Sequence, residues 1–346
     1  ALAIAPTTVT LSMNKSITFA ASAGVPPYSF SLLSGSGSIN GTSGSFTSPT
    51  TAGTSVVRTV DVMGNYAPAS VITVEGGTID SRFGSMGSVT LTNPYTASIS
   101  PAAMARHSTS GKIATASYFY HNGYMRLLLT QHTSDGVVDA SFGNSGIVVT
   151  SLSTESIYPR ALAYQSDGKL LVGGYSVDTT PYYNAVLARY TSTGTLDSTF
   201  SNTIGGSDGF IKFCWRSASS CATNSLYTGV LAIDVQSDGK IVVGGKGKVS
   251  DAGTGYTAAL ARFNANGSFD TSFGTEGRNL YSPGPINSDS EIQALRIQST
   301  GSILASGSST NGSAHKAFAL RVLSTGSLDA TGQSAFGDTA CNSGCA

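Results

Sequence analysis

Phe269-Asp270-Thr271-Ser272-Phe273-Gly274 is the stretch from which the fold is read, because it returns along the chain at a nearly fixed interval. Its other copies are Ile79-Asp80-Ser81-Arg82-Phe83-Gly84, Val138-Asp139-Ala140-Ser141-Phe142-Gly143, Leu196-Asp197-Ser198-Thr199-Phe200 and Leu328-Asp329-Ala330-Thr331. The aspartates Asp80, Asp139, Asp197, Asp270 and Asp329 are 59, 58, 73 and 59 residues apart. Such a period is the signature of a repeat architecture.

Two more elements keep the same period. A turn recurs as Ser110-Gly111-Lys112, Asp167-Gly168-Lys169, Asp238-Gly239-Lys240 and Thr300-Gly301-Ser302. An apolar strand with one arginine precedes each later aspartate: Leu187-Ala188-Arg189-Tyr190, Leu260-Ala261-Arg262-Phe263 and Leu320-Arg321-Val322. The first copy carries Gln131 where the others carry arginine. Each unit offers four strands; in the third they run 210–213, 230–235, 241–245 and 258–263. Four strands per unit of about sixty residues is the sequence form of a propeller blade, whose two faces must be covered by its neighbours.

Composition agrees with an all-β chain. Gly is frequent at 41 residues, which suits many tight turns, while charged residues reach only 11%. Apolar residues at 40% argue against disorder. Lys plus Arg and Asp plus Glu both total 19, so the basic stripe that nucleic-acid binding needs is missing, as is a polybasic membrane segment. No run approaches the roughly 20 apolar residues of a membrane span.

The combination of Asp-Gly-Lys, Leu-Ala-Arg-Phe and Phe-Asp-Thr-Ser-Phe-Gly resembles the bacterial delta-sixty repeat, over about residues 76–337. The resemblance implies a β-propeller in an exported bacterial protein and brings no set of catalytic residues. Residues 1–75 read as short alternating strands divided by the turns Asn40-Gly41, Ser43-Gly44 and Gly64-Asn65. Gly24-Val25-Pro26-Pro27-Tyr28-Ser29-Phe30-Ser31 and Asp61-Val62-Met63-Gly64-Asn65 resemble bacterial immunoglobulin-like modules, which implies a spacer. The expected fold is therefore all-β: a small Ig-like β-sandwich over 1–75, then a β-propeller of about four four-stranded blades over 76–337, as a four-bladed ring or, alternatively, as an open array that closes only on oligomerisation. Residues 338–346 form a disulfide-closed tail.

Cys214 pairs with Cys221 and Cys341 with Cys345 in the natural reading of two close cysteine pairs, which implies an oxidising compartment and a secreted or cell-surface protein. In each unit the Asp-Gly-Lys turn and the aspartate segment fall on one rim, the segment being read as the link from strand four to the next blade. The opposite rim differs in every unit and is rich in aromatic residues, and the third unit's 14 extra residues lie there, between its strands one and two (73 less 59). Tyr118, Tyr120, Tyr124, Tyr182, Tyr183 and Trp215 are the candidate ligand-binding residues, because aromatic rings give contact area at low entropy cost. The repeat aspartates with Arg189, Arg262 and Arg321 are read as structural pairs that fasten blade to blade.

Catalytic signatures are scarce. Gly205-Gly206-Ser207-Asp208-Gly209 has the letters of a nucleophile elbow without its strand and helix. His107, His121 and His132 match no zinc-ligand spacing, and no metal or cofactor is expected. Asp289 and Glu291 form a carboxylate pair with no identifiable partner. The expectation is a non-enzymatic recognition or adhesion protein that binds a surface glycan or protein, with a homo-oligomer or filament as the assembly to look for. The alternatives are a subunit of an extracellular filament, or a propeller lyase or hydrolase.

Overall fold

The computed structural model describes residues 1–75, 83–90, 95, 97–152, 154–178, 183–201, 209–215, 228–248, 255–283, 289–311 and 314–329. Every regular element among them is a strand. The chain divides into two compact units, Ala1–Ser88 and Val89–Ala346.

The first unit holds β1 (Ala3–Ala5), β2 (Thr8–Ser12), β3 (Ser16–Thr18), β4 (Ala20–Ser22), β5 (Ser29–Ser34), β6 (Ser38–Ile39), β7 (Ser45–Thr47), β8 (Gly53–Val60) and β9 (Tyr66–Val74). One sheet has the order β2-β9-β8-β5, with β2 parallel to β9, and a second has the order β3-β7-β6. β8 and β9 alternate buried and less buried residues, so each sends one face inward. Phe19, Phe30, Phe46, Val57 and Val71 meet in one core between the sheets.

The second unit is the propeller. Its first sheet is β10 (Ile99–Arg106), β11 (Ile113–His121), β12 (Tyr124–His132) and β13 (Ile147–Thr150). The second is β14 (Ser156–Tyr164), β15 (Leu170–Val177), β16 (Tyr183–Tyr190) and β17 (Phe210–Phe213), and the third is β18 (Gly229–Val235), β19 (Ile241–Lys248), β20 (Tyr256–Phe263) and β21 (Arg278–Tyr281). The fourth shows three strands among the described residues, β22 (Asp289–Ile297), β23 (Ile303–Asn311) and β24 (Ala314–Val322). All are antiparallel meanders. β14 packs against β10 and β18, and β18 against β22, so the first strand of each blade is innermost.

The blade boundary differs from the sequence reading. Phe210–Phe213 was expected to open the third unit; it pairs with Ala185–Ala188 and closes the second blade. The aspartate segment therefore links strands three and four within a blade, not one blade to the next. The long segment after Cys214 runs between blades, not between strands one and two of one blade. A strand of four residues carries too little local pattern to fix its partner. The division into two rims survives the shift, because the turns after strands one and three still share an end.

Successive residues of one strand serve different cores. Ile241 and Val243 pack toward the second blade, in a core with Leu171, Leu187 and Phe213, while Val242 packs toward the fourth with Ile292 and Ile303. Burial on both faces explains the unbroken apolar runs Leu170-Leu171-Val172 and Ile241-Val242-Val243. In the fourth blade only one parity joins a core: Ile303 and Ala305 are buried, whereas Ser306 and Ala319 are exposed.

Candidate functional site

The lower rim contains the turns after strands one and three, and the repeat is explained there residue by residue. Oδ2 of Asp270 accepts from Nε of Arg262 at 2.7 Å and pairs with Nζ of Lys240 at 2.9 Å. Oδ1 accepts from the backbone N–H of Ser272 at 3.1 Å and from its hydroxyl at 2.7 Å. The guanidinium lies over the Phe273 ring, and Nη1 donates to the carbonyl of Ser324 in the next blade at 2.7 Å. Gly274 donates its N–H to Thr325 of that blade at 2.8 Å. It has φ 54°, and a Cβ there would meet the carbonyl oxygen of Arg278 at 2.2 Å. Aspartate, hydroxyl residue, phenylalanine and glycine each have one job in this joint.

The second blade repeats it: Arg189 and Lys169 pair with Asp197 at 2.9 and 3.2 Å, and Arg189 also bonds the carbonyl of Ala265. In the first blade Lys112 pairs with Asp139 at 2.6 Å, and Gln131 bonds the hydroxyl of Tyr164 at 2.9 Å. In the fourth, Arg321 meets Asp329 at 2.6 Å. Asp80 lies outside the described residues. Burial works to raise the carboxyl pKa of Asp197, but the Thr199 and Lys169 hydrogen bonds and the charge of Arg189 outweigh it and hold the group down at about 2. Asp270 is held below the ordinary range by the same kinds of contact. The arginine thus pairs within its own blade and reaches the next through a backbone carbonyl.

The upper mouth is built on a feature that residue patterns did not reveal. Each innermost strand has a β-bulge at the same level, between Pro101 and Ala103, Pro159 and Ala161, Val230 and Ala232, and Ile292 and Ala294. The residues set into the bulges are Ala102, Arg160, Leu231 and Gln293, and all four line a channel between the innermost strands that opens out between the first and fourth blades along Leu304, Ser306, Ala319 and Leu320, a cavity of about 610 Å³. Bulges re-aim side chains, and here they turn four toward one axis. The signal was on strand two: a Cβ at Gly174, Gly245 or Gly307 would sit 2.1, 2.0 or 1.8 Å from the carbonyl oxygen of Tyr158, Gly229 or Glu291. Glycine stands where the bulged backbone presses on its neighbour.

Above the bulges opens a second cavity of about 500 Å³, within the range of small-ligand sites. Tyr175, Tyr183, Thr228 and Lys246 line it with Arg160, Glu291 and Gln293. Tyr158 stacks on Tyr175 with centroids 4.8 Å apart, and Tyr118 and Tyr183 extend the aromatic row at 5.3 and 5.5 Å. Lys246 pairs with Glu291 at 2.9 Å. Burial works to raise the Glu291 carboxyl pKa, but Lys246 and Gln293 outweigh it and keep the group below its ordinary value.

Of the expected ligand-binding residues, Tyr183 lines this cavity and Tyr118 joins its aromatic row. Tyr120 is exposed away from it, and Tyr124 lies beside Arg126. Trp215 is buried against Phe213, with Gly245 and Gly247 beneath its ring, so it belongs to an interblade core and not to an open face. Tyr182, Cys221, Cys341 and Cys345 lie outside the described residues, and Cys214 is buried at the end of β17. Asp289 accepts from the N–H of Tyr256 at 2.7 Å, apart from the role of Glu291. Among the described residues no group of three or more His, Cys, Asp or Glu could hold a metal ion. No described helix is long and apolar enough to cross a membrane.

A family model matches the propeller. It is described as a "Domain of unknown function (DUF5122) beta-propeller", and it covers residues 165–200 and 236–273. Both stretches run from the Asp-Gly-Lys turn to the repeat phenylalanine, so they hold the lower-rim joint and exclude Arg160, Glu291 and Gln293. No curated protein matches the chain. Among solved structures it is similar to a "Hadza microbial sialidase", 13% identical with a TM-score of 0.38, over 79% of this chain and 50% of that one. A "Glycoside hydrolase" is 13% identical with a TM-score of 0.34, over 64% of this chain and 45% of that one. The chain spans about half the length of these two proteins, and at such scores the likeness brings neither activity with it. It does correct one expectation: with a sialidase and a glycoside hydrolase among its structural neighbours, the chain is not assigned as a non-enzyme.

Proposed function

We propose that the propeller binds carbohydrate in the cavity at its upper mouth. The observation that carries this reading is the composition of that cavity: phenol rings of Tyr175 and Tyr183 beside Thr228, Gln293, Glu291 and two cations. Aromatic faces pack on the apolar faces of sugar rings, and mixed donors and acceptors meet their hydroxyls. The site draws on the second, third and fourth blades, which follow one another along the chain. The N-terminal unit serves as an immunoglobulin-like spacer, and the two cysteine pairs support an exported protein in an oxidising compartment.

The test is a glycan array probed with the wild-type protein and with Tyr175→Ala and Tyr183→Ala. Binding by the wild type that both variants lose by tenfold or more supports the reading. Wild-type binding unchanged in both variants overturns the placement of the site.

Glu291 favours a catalytic form of the same reading. It is the one carboxylate lining the cavity among the described residues, and Lys246 keeps it ionised, which suits a carboxylate that attacks, or stabilises positive charge on, a sugar's anomeric carbon. Release of new reducing ends from a bound glycan, abolished in Glu291→Gln, is the expected sign of that chemistry.

A further inference from the structure

We infer that the mouth selects an acidic sugar and that Arg160 is the residue that takes its carboxylate; this rests on the carbohydrate reading above. Of the four residues turned into the channel by the bulges, Arg160 is the only one with a charge, the others being Ala102, Leu231 and Gln293. It is exposed, and it lines both the mouth cavity and the channel beneath.

Its contacts set it apart from the three repeat arginines. Arg189, Arg262 and Arg321 each spend Nε on an aspartate within 3 Å. Arg160 has no carboxylate within 4 Å among the described residues. Its one hydrogen bond to a described residue, from Nη2 to the neutral hydroxyl of Tyr175 at 3.2 Å, holds the guanidinium near the phenol ring. A guanidinium presents five N–H donors in a planar fork, so most of that edge is left for a ligand. Planar carboxylates fit the fork in a bidentate manner. Charge points the same way: Arg160 and Lys246 against Glu291 leave one positive charge in the cavity. Gln293 and Thr228 add neutral hydrogen-bonding groups for hydroxyls around the acid.

An arginine buried in a joint is explained by the fold. An exposed arginine, steadied by a phenol and set by a bulge over a channel, is explained by an anion that comes and goes.

The experiment is an array of neutral, uronic-acid, sialic-acid and sulfated oligosaccharides, probed with wild type, Arg160→Gln and Arg160→Lys. Titration calorimetry then compares the best ligand with its methyl ester. The expected result is wild-type binding to carboxylated glycans, weakened at least tenfold by R160Q and by esterification, with R160K in between. Binding to neutral glycans that R160Q leaves unchanged overturns the acidic selection and leaves the carbohydrate reading standing. Binding confined to sulfated glycans overturns the carboxylate assignment. No binding by the wild type to any glycan overturns the carbohydrate reading itself. The ester comparison uses only wild-type protein, so it decides the matter even if R160Q fails to fold.

Discussion

Arg262 and Arg160 belong to opposite rims of one propeller, and the two rims handle the same side chain in opposite ways. On the lower rim Arg262 is buried, and aspartate, ring and the next blade's carbonyl use up its surfaces. On the upper rim Arg160 is exposed and meets one neutral hydroxyl. The lower arrangement recurs with its partners from blade to blade; the upper one occurs in a single blade. Repetition marks what the array needs to hold together, and departure from it marks what one protein does with the array.

The comparison can be broken from its stable side first. Asp270→Asn leaves a buried guanidinium without its carboxylate, and urea unfolding is expected to show a loss of about 3 kcal/mol or more. Asp329→Asn, whose partner Arg321 is more exposed, is expected to cost about 1 kcal/mol. Equal losses at both sites would mean that the joint is not graded by burial.

Gly245→Ala tests the bulge that shapes the upper mouth. Its Cβ would press on the carbonyl of Gly229, so the bulge that holds Leu231 must shift, and a loss of about 1–3 kcal/mol is expected. Ligand binding at the mouth should weaken with it.

Acid acts on the lower rim next. The Asp197 carboxyl is held at about 2, below its unfolded value near 3.8, so its contribution is complete above pH 4 and lost as pH falls toward 2. The melting temperature is expected to drop through that window, and Asp197→Asn to start lower and fall less steeply. The smallest stability effect is expected at the mouth: Arg160→Gln should change unfolding free energy by less than about 0.5 kcal/mol while it removes the preference for acidic ligands.

Much of the lower rim was legible in the sequence because its contacts are local. Arg262 and Asp270 are eight residues apart, and Asp270 and Ser272 only two, so one short motif carries most of the joint. The mouth was not legible. Arg160, Leu231 and Gln293 are some sixty to seventy residues apart, and what unites them is a bulge, which changes no residue type at its own position. Its trace, the second glycine of Gly173-Gly174 and Gly244-Gly245, reads in sequence as an ordinary weak point in a strand. Trp215 failed in the opposite sense: a lone tryptophan beside a cysteine looks like a surface anchor, and only the packing of Phe213 and Gly245 reveals it as core.

The sequence by itself determined the period, the four-stranded unit and the turn chemistry of the constant rim, because alternation and turn residues act over a few positions. Tertiary structure alone decided which blade owns Phe210–Phe213, which rings are covered, and which four side chains meet over the channel. Those outcomes depend on backbones brought together across separate repeats, and no local preference encodes such a meeting.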